Sequence, residues 1–205
     1  MPVLFDETFP HHYAAAEHDF DAAAFAEDRK LVKLGETSEG VLFFPPDIQE
    51  EIENVSHVAV RVNPEGGREW VGVFACGFDS NKVTSGMFAH PDPNRVCVVA
   101  AGYAYIVVAR DPRLYERVIA QPVVAVYPAR EAGLLLFVDF TNISAYGPEG
   151  VVWRTERLTW EGLRVTGVTA TTVHGYGWDM PRDKEVEFTV DLKTGEHAGG
   201  AAPGR

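Results

Sequence analysis

The sequence predicts a mainly β fold, an antiparallel β-sandwich or a small propeller-like meander with two or three short helices, and three observations carry that expectation. Short β-branched and aromatic runs recur along most of the chain, Gly, Pro, Asn and Asp punctuate them, and several alternate apolar with polar residues as a sheet with one wet face does. Helical segments do not alternate regularly with these runs, which disfavours a parallel sheet built from strand-helix-strand units.

Taken in order, Tyr13 to Glu27 is rich in alanine and carboxylates and predicts a helix, or else an irregular acidic arm occupying residues 1–28. A short second helix is signalled by Asp47 after Pro45 and Pro46, with Glu50 three positions on completing an aspartate version of the capping box; it should end near Asn54. Asp111 to Ala120 predicts a third, because Asp111 can cap, Pro112 suits the first helical position, and Leu114, Val118 and Ile119 fall on one helical face. Strands are expected at Leu31–Leu34, Val41–Phe44, Val58–Val62, Trp70–Cys76, Val96–Ala101, Tyr103–Ala109, Val123–Tyr127, Leu134–Phe140, Val151–Arg157, Leu163–Thr172 and Val186–Leu192. Within them Val58, Val60 and Val62 alternate with Ala59 and Arg61, and Val186, Phe188 and Val190 alternate with Glu187 and Thr189, which puts the second set of each toward solvent.

Composition narrows the function classes. A chain of 205 residues with 46% hydrophobic and 23% charged residues matches one globular domain, residues 1–205, with a flexible tail expected at 197–205. The net charge is −12, and Met1 to Val55 carries thirteen acidic against three basic residues. Such a field repels phosphate backbones and anionic membranes, so neither nucleic acid nor membrane is expected as a partner, while a basic protein or a cationic ligand is compatible with it. The longest apolar run, Val96 to Ala109, falls short of a membrane span, and Met1 to Pro10 lacks the basic start and apolar core of a signal peptide; a cytoplasmic location is the expectation. Cys76 and Cys97 lie in apolar strand-like surroundings and read as reduced, inert thiols.

Turns recur at intervals of roughly 37 to 47 residues, in the range of a four-stranded propeller blade. Asn63-Pro64-Glu65-Gly66 precedes Trp70, Gly147-Pro148-Glu149-Gly150 precedes Trp153, and Asp191-Leu192-Lys193-Thr194-Gly195 closes a strand in similar phase. On these residues Ile143 to Trp153 and Phe188 to Gly195 resemble blades of the quinoprotein-type propeller repeats. The resemblance covers about a quarter of the chain and departs from the pattern after Gly195, where His197, Ala198 and Gly199 replace a later tryptophan. It implies a blade shape and no cofactor, since the chain holds no full ring of repeats.

The sharpest local feature is His174-Gly175-Tyr176-Gly177-Trp178-Asp179. In an extended segment His174, Tyr176 and Trp178 project from one face, making an aromatic platform suited to stacking on ring-shaped ligands, with Asp179 as a nearby carboxylate. The same residues would equally close the end of a core, the glycines permitting close packing. His11, His12 and His18, with Glu17, Asp19 and Asp21, form the richest set of divalent-metal donors, although linear proximity does not make three or four ligands converge, and a solvated acidic arm explains the same letters. No other cofactor is predicted. Ser80, Ser85 and Ser144 lack a nucleophile elbow, neither cysteine sits beside a histidine, Asp79-Ser80-Asn81 lacks the terminal ligand of a calcium loop, and Asp139 and Asp191 suit turn capping. Trp153 to Trp160 interleaves tryptophan with Arg154 and Arg157, which covers a core edge more readily than it makes an interface.

Together these readings predict a non-catalytic β-domain that binds a small molecule or protein through an aromatic surface, self-association into a homo-oligomer being compatible with it. The alternative is a small metal-assisted or carboxylate-based hydrolase gathering His11, His12, His18 or His174.

Overall fold

A computed structural model describes residues 4–31 and 40–201. In chain order these form β1 (Phe5–Asp6), β2 (Tyr13–Glu17), α1 (Ala22–Leu31), β3 (Val41–Phe44), β4 (His57–Pro64), β5 (Trp70–Ala75), β6 (Gly86–Ala89), β7 (Arg95–Ala100) and β8 (Tyr103–Val108). There follow β9 (Tyr115–Arg117), β10 (Ala125–Ala129), β11 (Leu134–Val138), β12 (Ile143–Gly147), β13 (Gly150–Arg154), β14 (Glu161–Val168), β15 (Thr172–Asp179), β16 (Lys184–Asp191) and β17 (His197–Gly199). They make four sheets: sheet I in the order β2-β4-β5-β3, sheet II β1-β6-β7-β8-β9, sheet III β10-β11-β12-β13 and sheet IV β14-β15-β16-β17. All pairings are antiparallel except β1 with β6 and β3 with β5. The mainly β expectation is met.

The hydrophobic pattern decides how the sheets meet. In sheet II, Val96, Val98, Tyr105 and Val107 turn to one side and pack with Val60, Val62, Trp70 and Phe74 of sheet I. Their neighbours Cys97, Val99, Ala104 and Ile106 turn to the other and pack with Leu135, Phe137 and Tyr146 of sheet III. Leu134, Leu136 and Ile143, on the far side of sheet III, pack with Val173, Phe188 and Val190 of sheet IV. The two middle sheets are therefore apolar at consecutive positions because both their faces are buried, and the order through the stack is I, II, III, IV. The outer face of sheet I, with Phe43, Ala59 and Val73, is covered by Ile52, Phe20 and Phe25. Ala59 thus faces a second small core and not the solvent expected for it.

An internal repeat ties consecutive sheets. The Trp70 indole in sheet I donates to the Ala109 carbonyl at the end of β8 (2.8 Å), and the Trp153 indole in sheet III donates to the Leu192 carbonyl at the end of β16 (2.9 Å), the acceptor lying 39 positions after the donor each time. Both tryptophans follow the related Pro-Glu-Gly turns. Gly195 is held close to Trp153: a Cβ there would lie 2.8 Å from the indole, and its φ of +75° is the left-handed region glycine favours.

Several elements differ from expectation. Tyr13–Glu17 is a strand, because Tyr13 is buried against sheet II and the segment pairs with Val60–Pro64; the helix begins only at Ala22, where Asp21 Oδ1 accepts the Ala24 N–H at 2.9 Å. Leu31 is the last described residue of that helix, and the remainder of the strand expected at Leu31–Leu34 lies outside the described residues. The Asp47 signal yields two 3₁₀ turns, Pro46–Glu50 and Ile52–Asn54, with no side-chain cap. Asp111–Ala120 is not a helix: Tyr115–Arg117 pairs with Tyr105–Val107, Tyr115 packs edge-on to Phe44 at 5.0 Å, and Arg117 stacks on Tyr103 at 4.3 Å. Val118 and Ala120, two positions apart, are both buried, a strand-like spacing that tertiary burial favours over capping. Gly86–Ala89 is a strand too short to signal itself. The expected tail is in part structured, since His197–Gly199 pairs with β16 and the Ala201 N–H donates to Leu158 O at 2.7 Å. No helix among the described residues is long and apolar enough to cross a membrane.

Candidate functional site

Sheet IV ends the stack. Along β15, Val173, Gly175, Gly177 and Asp179 face sheet III and are buried, while His174, Tyr176 and Trp178 face outward and keep contact with solvent. The glycines at the buried positions are required by close approach: a Cβ on Gly177 would lie 2.8 Å from Thr159 Cβ, and one on Gly175 would overlap the Arg164 carbonyl and the Phe188 ring. Small residues on one side thus let β15 sink onto the core, and rings on the other make a row along its outer surface.

Register sets the neighbours of each ring. Trp178 stands between Glu161 of β14 and Glu185 of β16, Tyr176 between Arg164 and Glu187, and His174 between Gly167 and Thr189. Bulges between Glu161 and Arg164, and between Val165 and Gly167, keep this alignment by inserting residues into β14. The Arg164 guanidinium lies 4.4 Å from the Tyr176 ring centre and pairs with Glu185. Glu161 and Glu187 have no ionic partner among the described residues. The outer face therefore combines three amphipathic rings, three carboxylates and one guanidinium, which suits stacking and charge pairing.

Asp179 does not join the platform. Its position matches the buried glycines in parity, its side chain is 0% exposed, and Arg182 Nε lies 3.3 Å from Oδ2, close enough for an ion pair but not aligned as a hydrogen bond. The carboxylates beside the rings are Glu161, Glu185 and Glu187, which sequence reasoning did not assign; alternation placed Glu187 in solvent, but only the bulged register brings Glu161 opposite Trp178.

The other candidates separate. His11 lies beside Phe5, Tyr13 and Glu7, with Nε2 3.4 Å from the Glu7 carboxylate. His12 approaches Asn94 Oδ1 at 3.4 Å, and His18, past the far end of β2, lies 3.2 Å from Arg61. They share no site, because a strand separates His18 from the other two, and among the described residues no group of three His, Cys, Asp or Glu is arranged to hold a metal ion. Both cysteines are free; burial raises the thiol pKa of each and disfavours the thiolate a nucleophile needs. Asp139 Oδ1 accepts the Thr141 and Asn142 N–H groups at 2.8 and 2.7 Å, and Arg154 pairs with Oδ2 at 3.0 Å. Asp191 Oδ1 accepts those of Lys193 and Thr194 at 2.9 Å, and these hydrogen bonds hold its pKa below the usual carboxylate value. Both aspartates are turn caps. Trp153 is buried, and Arg157 lies 4.9 Å from the Trp160 ring, so this stretch covers the core edge. A cavity of about 410 Å³ between the edge strands β3 and β9, lined by Leu42, Phe44, Pro46, Pro112 and Tyr115 with Arg113 beside them, was not signalled by the sequence.

No protein-family model matches the sequence, and no curated protein matches it significantly.

Proposed function

We propose that this chain is a non-catalytic binding module whose working surface is the outer face of sheet IV. The observation that carries the reading is the row His174, Tyr176 and Trp178 on the one terminal face of the stack that no described element covers, in contrast to the apolar, covered outer face of sheet I. Three rings at successive outward positions provide flat area that tolerates water and stacks on a partner, while Glu161, Glu187 and Thr189 offer acceptors at the margin. The chain is read as four propeller-like blades in an open array, soluble and cytoplasmic, with a protein or a small molecule as partner. A hydrolase is not favoured, because its candidate histidines lie apart.

The test is a nuclear magnetic resonance screen of glycans, metabolites and short peptides against the protein and its Trp178→Ala variant, reading amide shifts along β14, β15 and β16. Binders that shift these amides and are lost on substitution support the reading. Binders whose shifts lie elsewhere and survive the substitution refute it.

A further inference from the structure

The protein already displays one cation in place on this face. Arg164 lies across the Tyr176 ring with its guanidinium 4.4 Å from the ring centre and is held at its other side by Glu185. The adjoining row repeats the receiving half of that arrangement without the cation: Trp178, the better π-donor ring, stands with Glu161 on one flank and Glu185 on the other, and Glu161 has no ionic partner among the described residues. Glu187, beside Tyr176, is likewise without one. The face thus carries three carboxylates against one guanidinium, on a chain of net charge −12.

We infer that the outer face of sheet IV recognises a basic peptide segment of a partner protein, seating an arginine or lysine side chain over Trp178 between Glu161 and Glu185, as Arg164 sits over Tyr176. This rests on the platform reading above and names the chemistry of its partner. A cation over an aromatic ring is attracted by the ring's negative face, and the flanking carboxylates add charge pairing where the ring excludes part of the water. An extended segment places alternate side chains on one side at nearly the spacing of Tyr176 and Trp178, so basic residues two positions apart reach along the row and toward Glu187. A neutral sugar or heterocycle could donate hydrogen bonds to Glu161 and Glu187 but would leave their negative charge unneutralised, which is why the cationic partner is preferred.

The probe is the peptide acetyl-Gly-Arg-Gly-Arg-Gly-amide, with its citrulline counterpart as a neutral shape control and its glutamate counterpart as a charge control. Binding is followed by shifts of the Trp178 indole N–H and of the β14 to β16 amides. The arginine peptide is expected to shift these signals and to weaken about tenfold with Trp178→Ala and two- to fivefold with Glu161→Gln, as exposed cation-π and ion-pair contacts do. The Asp47→Asn, Glu50→Gln double variant, which removes acidic charge elsewhere, should leave the affinity unchanged. Equal binding of the citrulline peptide, no shift with the arginine peptide, or a loss in the Asp47/Glu50 variant as large as in Glu161→Gln would overturn the inference. If neutral ligands still bind in a Trp178-dependent way, only the cationic partner is refuted; if they do not, the platform falls with it.

Discussion

His90 offers a measurable link between burial and pH. It follows β6 in the sheet II hairpin, is 0% exposed, accepts the Asp92 N–H on Nδ1 at 3.0 Å, and leaves Nε2 without a partner among the described residues. Burial, and then the positive charge of Arg95, lowers its pKa to about 4, Asp92 opposing in part. In the unfolded chain the imidazole titrates near 6.5, so on acidification the unfolded state takes up a proton that the folded state refuses. Stability is then lost as the pH falls from about 6.5 toward about 4 and changes no further below that; the full shift corresponds to about 3 kcal/mol, of which about 2 to 3 kcal/mol is spent by pH 4.5. Other groups titrate in the same window, so the assay is a difference: urea unfolding at pH 7 and pH 4.5 for the protein and for His90→Asn, whose amide oxygen can still accept from Asp92. The parent should lose about 2 kcal/mol more than the variant over that interval. Parallel losses would show that His90 is protonated in the folded state and would refute the burial argument.

Three further outcomes are expected, two from packing and one from the separation of the histidines. Trp153→Phe should cost about 2 to 4 kcal/mol in thermal or urea unfolding, through the orphaned Leu192 carbonyl and the lost ring volume, and Trp70→Phe should cost a similar amount if the two ties are equivalent. Gly175→Ala should destabilise by about 1 to 3 kcal/mol or more, since the added methyl meets backbone at Arg164, and hydrogen exchange of the β14 and β15 amides should accelerate first. Addition of zinc or manganese should leave the melting temperature unchanged, and a stoichiometric bound ion lost on substitution of His11, His12 or His18 would revive the hydrolase reading.

What was legible in the sequence was what depends on neighbours along the chain. Alternation in Val186–Leu192 and continuous apolarity in Val96–Ala101 report how many faces of a strand are buried, one in β16 and both in β7. The same logic found the row His174, Tyr176, Trp178, and would have excluded Asp179, whose parity is that of the buried glycines. What was not legible depends on distant partners. Tyr13–Glu17 has helical composition but is claimed by pairing with β4, and Tyr115–Arg117 is claimed by Phe44 and Tyr103 despite a good capping signal upstream. Glu161 could not be placed beside Trp178, because two bulges in β14 set a register that no alternation in that segment announces.

The end of the stack gives a physical reason for placing the proposed binding surface on sheet IV. A stack of sheets that does not close leaves two terminal faces, and each must be reconciled with water. Sheet I does this by apolar burial beneath Phe20, Phe25 and Ile52. Sheet IV does it with side chains that are apolar in body and polar at the tip, together with charged residues, which can meet water without a cover. Solubility alone would be served by threonine and lysine at these positions, whereas three rings in line keep apolar area near water. That retained area, edged by carboxylates of which two have no ionic partner among the described residues, has physical sense as a surface from which a partner displaces water, and the aromatic row and the glutamates beside it are therefore the residues whose substitution should separate binding from folding.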